Sequence, residues 1–380
     1  MPLLKVTILK PMRTTTMEKQ KNKNKVLLGL SGGVDSTAAA LLLAEKGFDV
    51  TGYYFDVTGC NRQGLKEAQE LAHKLGIQLI CEDVSSEFNR LIINDFCDEY
   101  MSGRTPNPCV ICNPQVKFRK LIEKADEIGA YHIATGHYCR IYFDKDTGLF
   151  YPKMSASKKK DQSYMLYRLG QDVLRRLIFP LGDFEDKEQI RELARSHGME
   201  NAEKKDSQEI CFLGESEDHA RFIGEKGFRS PAGNFVDENG NILGRHKGIT
   251  SYTVGQRKGL GIALGKPAYV IRIDKENNTV VLGSNDELFK EEVICSDIFF
   301  TGLAARRFEG KKLKAKIRYT ARPAECSIKV IDSGEISKDN KKVNDKKIIT
   351  TFCDPQRAPA PGQSIVYYNG DIVIGGGFIV

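Results

Sequence analysis

From Lys25 to about Gly214 the chain alternates short apolar runs with longer stretches of helical periodicity. Val26–Leu30, Val50–Val57, Ile77–Cys81 and Tyr131–Thr135 read as strands. Asp35–Lys46, Leu65–Leu75, Glu87–Met101, Val116–Ile128 and Lys187–His197 read as helices. This alternation predicts an α/β domain, a parallel sheet covered by helices on both faces. Ligands of such sheets bind at the carboxyl ends of the strands. Ser31–Ser36, the loop after Val50–Val57, and Gly136-His137 all fall there.

The pattern changes twice further on. Over residues 215–290 glycines become frequent and helices sparse, which predicts a small central domain. Over residues 291–380 the chain is β-rich. Lys312–Tyr319 alternates basic and apolar residues, the mark of a half-buried strand with one cationic face. Val366–Tyr368, Asn369-Gly370 and Asp371–Ile374 predict a terminal hairpin. Ser333–Lys347 is polar and lysine-rich, as in an exposed loop insertion.

Composition narrows the class. The 380 residues are 41% hydrophobic and 28% charged, as in a soluble globular protein with several domains. No apolar run has the ~20 residues of a membrane span. Residues 1–24 form a basic extension, expected to lack order, with no secretory pattern, so the expected compartment is the cytoplasm. The formal net charge of +7 suits an anionic partner without requiring one. Ten cysteines are too few for a disulfide scaffold and are read as mostly reduced.

The chemistry starts at Ser31-Gly32-Gly33-Val34-Asp35-Ser36, between the first strand and the first helix. Such a turn aims backbone N–H groups at one point, and the helix dipole adds positive potential. The site suits a polyanion such as pyrophosphate. It lacks the Gly-Lys-Ser/Thr of a Walker loop. Read alone, Asp35 and Ser36 could equally be capping residues. The hexapeptide in this setting resembles the PP-loop of ATP pyrophosphatases, which implies an ATP site at Gly29, Leu30, Ser31, Gly32, Gly33, Val34, Asp35, Ser36, Tyr54 and Gly136.

A second signal is Cys109-Val110-Ile111-Cys112, in a segment with prolines at 106, 108 and 114. The prolines predict a stiff loop rather than a helix. It precedes a helix, a position expected to lower the thiol pKa values. Cys211 follows about a hundred residues later in Ser207-Gln208-Glu209-Ile210-Cys211-Phe212. Alone, Cys211 would be a small buried hydrophobe, and the Cys-x-x-Cys half of a zinc site.

Taken together and in order, the PP-loop, Gly103–Asn113, Ala134–Tyr138, Lys160–Tyr164, Ser207–Phe212, Gly255–Gly261, Arg318-Tyr319 and Ala360–Ser364 resemble the tRNA-specific 2-thiouridylase family over nearly all of residues 25–380. The resemblance implies a PP-loop domain over 25–214, a central domain over 215–290 and a C-terminal β-barrel over 291–380. It implies ATP-dependent placement of sulfur on C2 of the wobble uridine, position 34, of tRNA, with ATP and Mg2+ as cofactors. By position, Cys211 resembles the persulfide-bearing cysteine and Cys112 its resolving partner. Asn107, Pro108, Cys109, His137, Lys160, Asp161, Gln162, Arg318, Tyr319 and Gln363 match positions that face the target base or the tRNA. The sulfur donor would be a cysteine desulfurase, a sulfur-relay protein or free sulfide.

Cys109 departs from the pattern, because many family members carry aspartate there. Cys109, Cys112 and Cys211 could instead hold a [4Fe–4S] cluster with one open iron. Two other functions compete with thiolation. One is an adenylating PP-loop enzyme acting on a small molecule, and the other a non-catalytic tRNA- or iron–sulfur-binding protein.

Overall fold

The structure is a computed structural model that describes residues 21–203, 210–213, 218–333 and 345–380. Most of the basic extension, Ser207–Glu209, the junction at 214/215 and most of the lysine-rich insertion lie outside the described residues.

The first region follows the predicted alternation. In chain order it contains β1 (Asn22–Gly29), α1 (Val34–Glu45), β2 (Asp49–Asp56), α2 (Arg62–Leu75), β3 (Gln78–Asp83), α3 (Ser85–Phe88), α4 (Asn94–Met101), α5 (Pro108–Cys112), α6 (Phe118–Glu127) and β4 (Ala130–Ala134). A hairpin of β5 (Arg140–Asp144) and β6 (Leu149–Lys153) follows, then α7 (Gln171–Leu174), β7 (Leu177–Ile178) and α8 (Lys187–Ser196). The parallel sheet has the order β3-β2-β1-β4-β7. In its central strand β1, Val26–Leu28 is apolar without alternation because both faces are covered there. Val26 and Leu28 pack under α1 and α8. Leu27 faces α6 together with Tyr53 and Ile133.

The Cys-x-x-Cys segment corrects the sequence reading, since Cys109 and Cys112 lie within α5 rather than in a loop. Pro108 occupies the first turn, where its missing N–H is no loss. Pro114 falls in a π-helical turn, Asn113–Lys117, that joins α5 to α6. The wider turn takes up the break that an interior proline makes in the helical ladder.

The central region holds α9 (His219–Glu225) and a four-stranded sheet of β8 (Gly233–Val236), β9 (Ile242–His246), β10 (Tyr269–Asp274) and β11 (Thr279–Gly283). The last region contains β12 (Phe289–Phe300), β13 (Leu313–Lys316), β14 (Ala324–Ser333), β15 (Asp345–Arg357), β16 (Ser364–Asn369) and β17 (Ile372–Ile379). These six pair in the order β12-β15-β14-β13-β16-β17, and β17 returns to β12 to close a barrel. The predicted terminal hairpin is β16–β17. β6 extends the barrel sheet through Lys153 and Ile372, so the hairpin at 140–153 belongs to it although it lies early in the chain.

The predicted Lys312–Tyr319 strand shortens to β13, and its cationic face is not open throughout. Lys314 is exposed, whereas Lys316 is only 6% exposed. The barrel wall at Lys316 is covered by tyrosines. Its ammonium lies 5.7 Å from the Tyr164 ring and 5.6 Å from the Tyr319 ring. Among the described residues, no helix is long and apolar enough to cross a membrane.

Candidate active site

β1 ends at Gly29, and Leu30 continues the strand direction by donating its N–H to Tyr53 O at 2.9 Å. The chain then turns through Gly32, at φ +77°, into α1, which starts at Val34 with Gly33 as its cap. Ser31 N–H and the Ser36 hydroxyl are 3.3 Å apart, and Ser36 Oγ donates to Gly33 O at 2.9 Å. Gly136, just past β4, closes against this turn. A Cβ on it would stand 2.9 Å from Asp35 C and 3.0 Å from Ser36 N, so the approach requires glycine. Tyr54 is buried at the end of β2, its hydroxyl 3.5 Å from Asn61 O.

Three side chains that sequence reasoning missed complete this corner. Tyr138 OH donates to Asp35 Oδ1 at 2.8 Å, and Lys187 Nζ donates to Asp35 Oδ2 at 3.1 Å. Lys187 is 9% exposed, so this ion pair sits in a partly dry environment. Asn201 Nδ2 donates to Gly32 O at 3.0 Å and to Thr37 Oγ1 at 2.7 Å. The result is a fixed turn with two glycines, a clamped carboxylate and an adjacent ammonium. Tyr138 lay next to Gly136-His137 in the sequence and could have been flagged. Nothing local marked Lys187 or Asn201.

Tyr138 also connects this corner to the basic loop. Its N–H donates to Gln162 Oε1 at 2.9 Å, and its carbonyl accepts from Gln162 N at 2.9 Å. Asp161 is 4% exposed and accepts from Ser155 N at 3.0 Å and Ser163 Oγ at 2.8 Å. Burial pushes its carboxyl up, and these bonds oppose the shift. Asp161 therefore shapes the loop and presents no open carboxylate to a tRNA. Lys158 and Lys159 are exposed, while Lys160 is half-buried and already engaged. His137 is half-buried between Phe118 and Phe179, with Nδ1 2.7 Å from Thr135 Oγ1. Burial, and then Lys117, hold its imidazole well below its usual value, so it is neutral.

The cysteine segment sits between the first region and the barrel. Asn107 caps α5, and Val110 N–H reaches back to Asn107 O at 3.1 Å. Val110 is fully buried with Tyr164, Tyr167, Val366 and Tyr368, a contact worth about 1.5–3 kcal/mol. Asn113 Nδ2 ties the end of α5 to Met165 O at 3.0 Å. From the barrel, Tyr319 packs against this cluster, and its phenol is pushed up by burial, then by the charges of Asp161 and Cys109. The Arg318 guanidinium donates to Ala358 O. Gln363 Nε2 donates to Thr105 O at 2.9 Å and to Pro106 O at 3.3 Å.

The ten cysteines are all free thiols. Cys109 and Cys112 are half-buried and Cys211 is exposed. Burial pushes the Cys109 thiol up and the Cys112 thiol up to about 12, with Lys117 opposing both. This reverses the expected lowering, because desolvation outweighs the helix dipole over a helix this short. Crowding also raises the Cys211 thiol, against the pull of Lys117. Cys109 and Cys211 lie within electrostatic reach of each other and of Cys112. Among the described residues, however, no three His, Cys, Asp or Glu side chains are grouped to hold a metal ion. As placed, Cys109, Cys112 and Cys211 are not gathered into a three-ligand set for a [4Fe–4S] centre or a zinc site.

Three family models match the chain consecutively. They are the tRNA methyl transferase HUP domain over residues 24–215, the tRNA methyl transferase PRC-barrel domain over 220–284 and the aminomethyltransferase beta-barrel domain over 292–379. Full-length relatives carry a different description. A protein of Acetivibrio thermocellus named tRNA-specific 2-thiouridylase MnmA is 44% identical over 94% of this chain and 99% of its own length. The Clostridioides difficile protein of the same name is 43% identical over 93% of this chain and 98% of its own length. The Thermoanaerobacter sp. protein named tRNA-specific 2-thiouridylase MnmA 1 is 42% identical over 94% and 98%. With a PP-loop corner, a cysteine segment and a closed barrel in one chain, matched along nearly its whole length, this protein belongs to the tRNA-specific 2-thiouridylase family.

Proposed function

We propose that this chain is an ATP-dependent tRNA-uridine 2-sulfurtransferase acting on the wobble uridine. The observation that supports it best is the joining of two chemistries on one framework. Tyr138 links the phosphate-type turn at Asp35 to the Gln162 loop, and that loop packs against the helix bearing Cys109 and Cys112. A uracil C2 carbonyl is a poor electrophile. ATP, entering as its Mg2+ complex, converts O2 into an adenylate; pyrophosphate leaves and N3 loses its proton. Pyrophosphate would lie on the N–H groups of Ser31–Ser36, beside Lys187.

Sulfur then replaces oxygen. In this reading Cys211 carries a persulfide whose terminal sulfur attacks C2, and AMP leaves with the original O2. Cys112 as thiolate attacks Cys211 Sγ, so a Cys112–Cys211 disulfide forms and the S–S bond to the base breaks. The base keeps the terminal sulfur as its C2 thiocarbonyl, and N3 regains its proton. A thiol reductant returns both cysteines, and a persulfide donor reloads Cys211 by passing on its outer sulfur and leaving as a thiol. To act, Cys112 must lose its proton; burial opposes this, and Lys117, already within electrostatic reach, favours the thiolate. Cys109 faces the base as a neutral group, and Tyr319 offers a face for stacking on an extruded base, worth about 1–3 kcal/mol. Wobble bases are unpaired and cheap to extrude.

Pyrophosphate release measured with and without tRNA tests this reading. Release that depends on tRNA carrying an unmodified wobble uridine supports it. Release driven equally by a small molecule, or no release at all, contradicts it.

A further inference from the structure

The segment before α5 has an unusual backbone problem. Pro106 and Pro108 have no N–H, and Arg104 N–H is taken by Glu99 O at 2.9 Å, so Thr105 and the carbonyls around it need partners from outside the segment. The barrel loop between β15 and β16 supplies the partners. Thr105 N–H donates to Pro361 O at 2.7 Å, and the Thr105 and Pro106 carbonyls accept from Gln363 Nε2 at 2.9 and 3.3 Å. Gly362, between them, has φ +88°, and a Cβ there would stand 2.9 Å from Thr105 N and 3.0 Å from Arg104 Cβ. Gln363 itself is pinned, since its N–H donates to Ala360 O at 3.1 Å and its carbonyl accepts from Ile379 N at 2.8 Å.

We propose that Gln363 is a positioning residue for the cysteines: its side-chain amide clamps the Thr105 and Pro106 carbonyls to the barrel and so fixes where Cys109 and Cys112 stand. The primary amide offers two N–H donors on one planar nitrogen, one for each carbonyl. Glutamate has the same shape, no donor, and a charge facing two carbonyl oxygens. The barrel thus holds the reacting segment of another region, and the distance from sulfur to C2 depends on a residue that reacts with nothing. Misplacement of a reacting group by about 1 Å can cost on the order of 100-fold in rate. The role in sulfur transfer rests on the function proposed above; the clamp itself does not.

Hydrogen–deuterium exchange of the full chain without tRNA reads the clamp directly, whether or not the chain thiolates anything. Gln363→Glu and the uncharged Gln363→Met are compared with wild type. The expected result in both is exchange at the Thr105 amide, which donates to Pro361 O beside the clamp, faster by about tenfold or more, with exchange in β12–β15 unchanged. In thiolation assays kcat should fall by about tenfold or more while KM for tRNA moves by less than about threefold. If Gln363→Glu unfolds the chain, Gln363→Met carries the same comparison. Unchanged exchange over 103–112 would overturn the clamp. So would a higher KM for tRNA at unchanged kcat, which would make Gln363 a tRNA contact only.

Discussion

Tyr138 donates its phenolic proton to Asp35 across 103 positions of the chain, at 2.8 Å. The bond fixes the carboxylate of the phosphate-type turn from the end of a different strand. Lys187 holds the other oxygen. The turn is therefore set before any ATP arrives, which is the condition for electrostatic stabilisation without reorganisation.

Asp35→Ala should reduce AMP formation by about 100-fold or more, because it removes the carboxylate that Tyr138 and Lys187 hold in the turn. Tyr138→Phe should have a smaller effect, about tenfold, since it removes one hydrogen bond to a charged group. Circular dichroism and a radiolabelled AMP assay check both. A folded Asp35→Ala variant with near-normal AMP formation would remove the PP-loop assignment.

The tRNA surface should be screened by salt. Each lysine–phosphate contact lowers the slope of log K against log salt by about 0.7–0.9. Neutralising the exposed Lys158 and Lys159 to glutamine should make the slope shallower by about twice that amount. Filter binding over a salt series measures it. An unchanged slope would take these lysines out of the interface.

His137 is neutral in the folded protein, held below its ordinary value of 6.5 chiefly by burial. The unfolded chain therefore binds the extra proton first as pH falls. Stability from this group is complete above about 6.5 and declines as pH drops below it. Thermal melts from pH 8 to pH 5 should show this loss in wild type and a flatter profile in His137→Phe. Parallel profiles would mean that His137 is not the responsible group.

Much of the fold was legible in the sequence because it is local. Val26–Leu28 announce a doubly covered strand, and the hexapeptide after it can form only a tight turn and a helix start. The cysteine segment was misread because its prolines signal a loop, whereas Pro108 sits at a helix start and a π-turn accommodates Pro114. Lys316 was misread because alternation reveals a face but not what covers it. The partners of Asp35 come from residues 138 and 187, and no local pattern encodes such a meeting.

Cys109 separates the two sulfur chemistries. Without an iron cluster Cys109 is not a metal ligand and forms no bond in the proposed sulfur transfer, so Cys109→Asp should retain thiolation within about tenfold. Anaerobic purification with iron and sulfide analysis, alongside activity, checks this. An iron-loaded wild type that loses iron and activity together in Cys109→Asp would replace the persulfide account.

The central claim is tested most directly by mass spectrometry of tRNA nucleosides after incubation with ATP, Mg2+ and a persulfide donor. The account predicts 2-thiouridine at the wobble position, with one AMP and one pyrophosphate formed per sulfur inserted. It also predicts no 2-thiouridine from Cys112→Ser or Cys211→Ser, although both still bind ATP. Formation of ADP instead of AMP, or full thiolation by either serine variant, would contradict it.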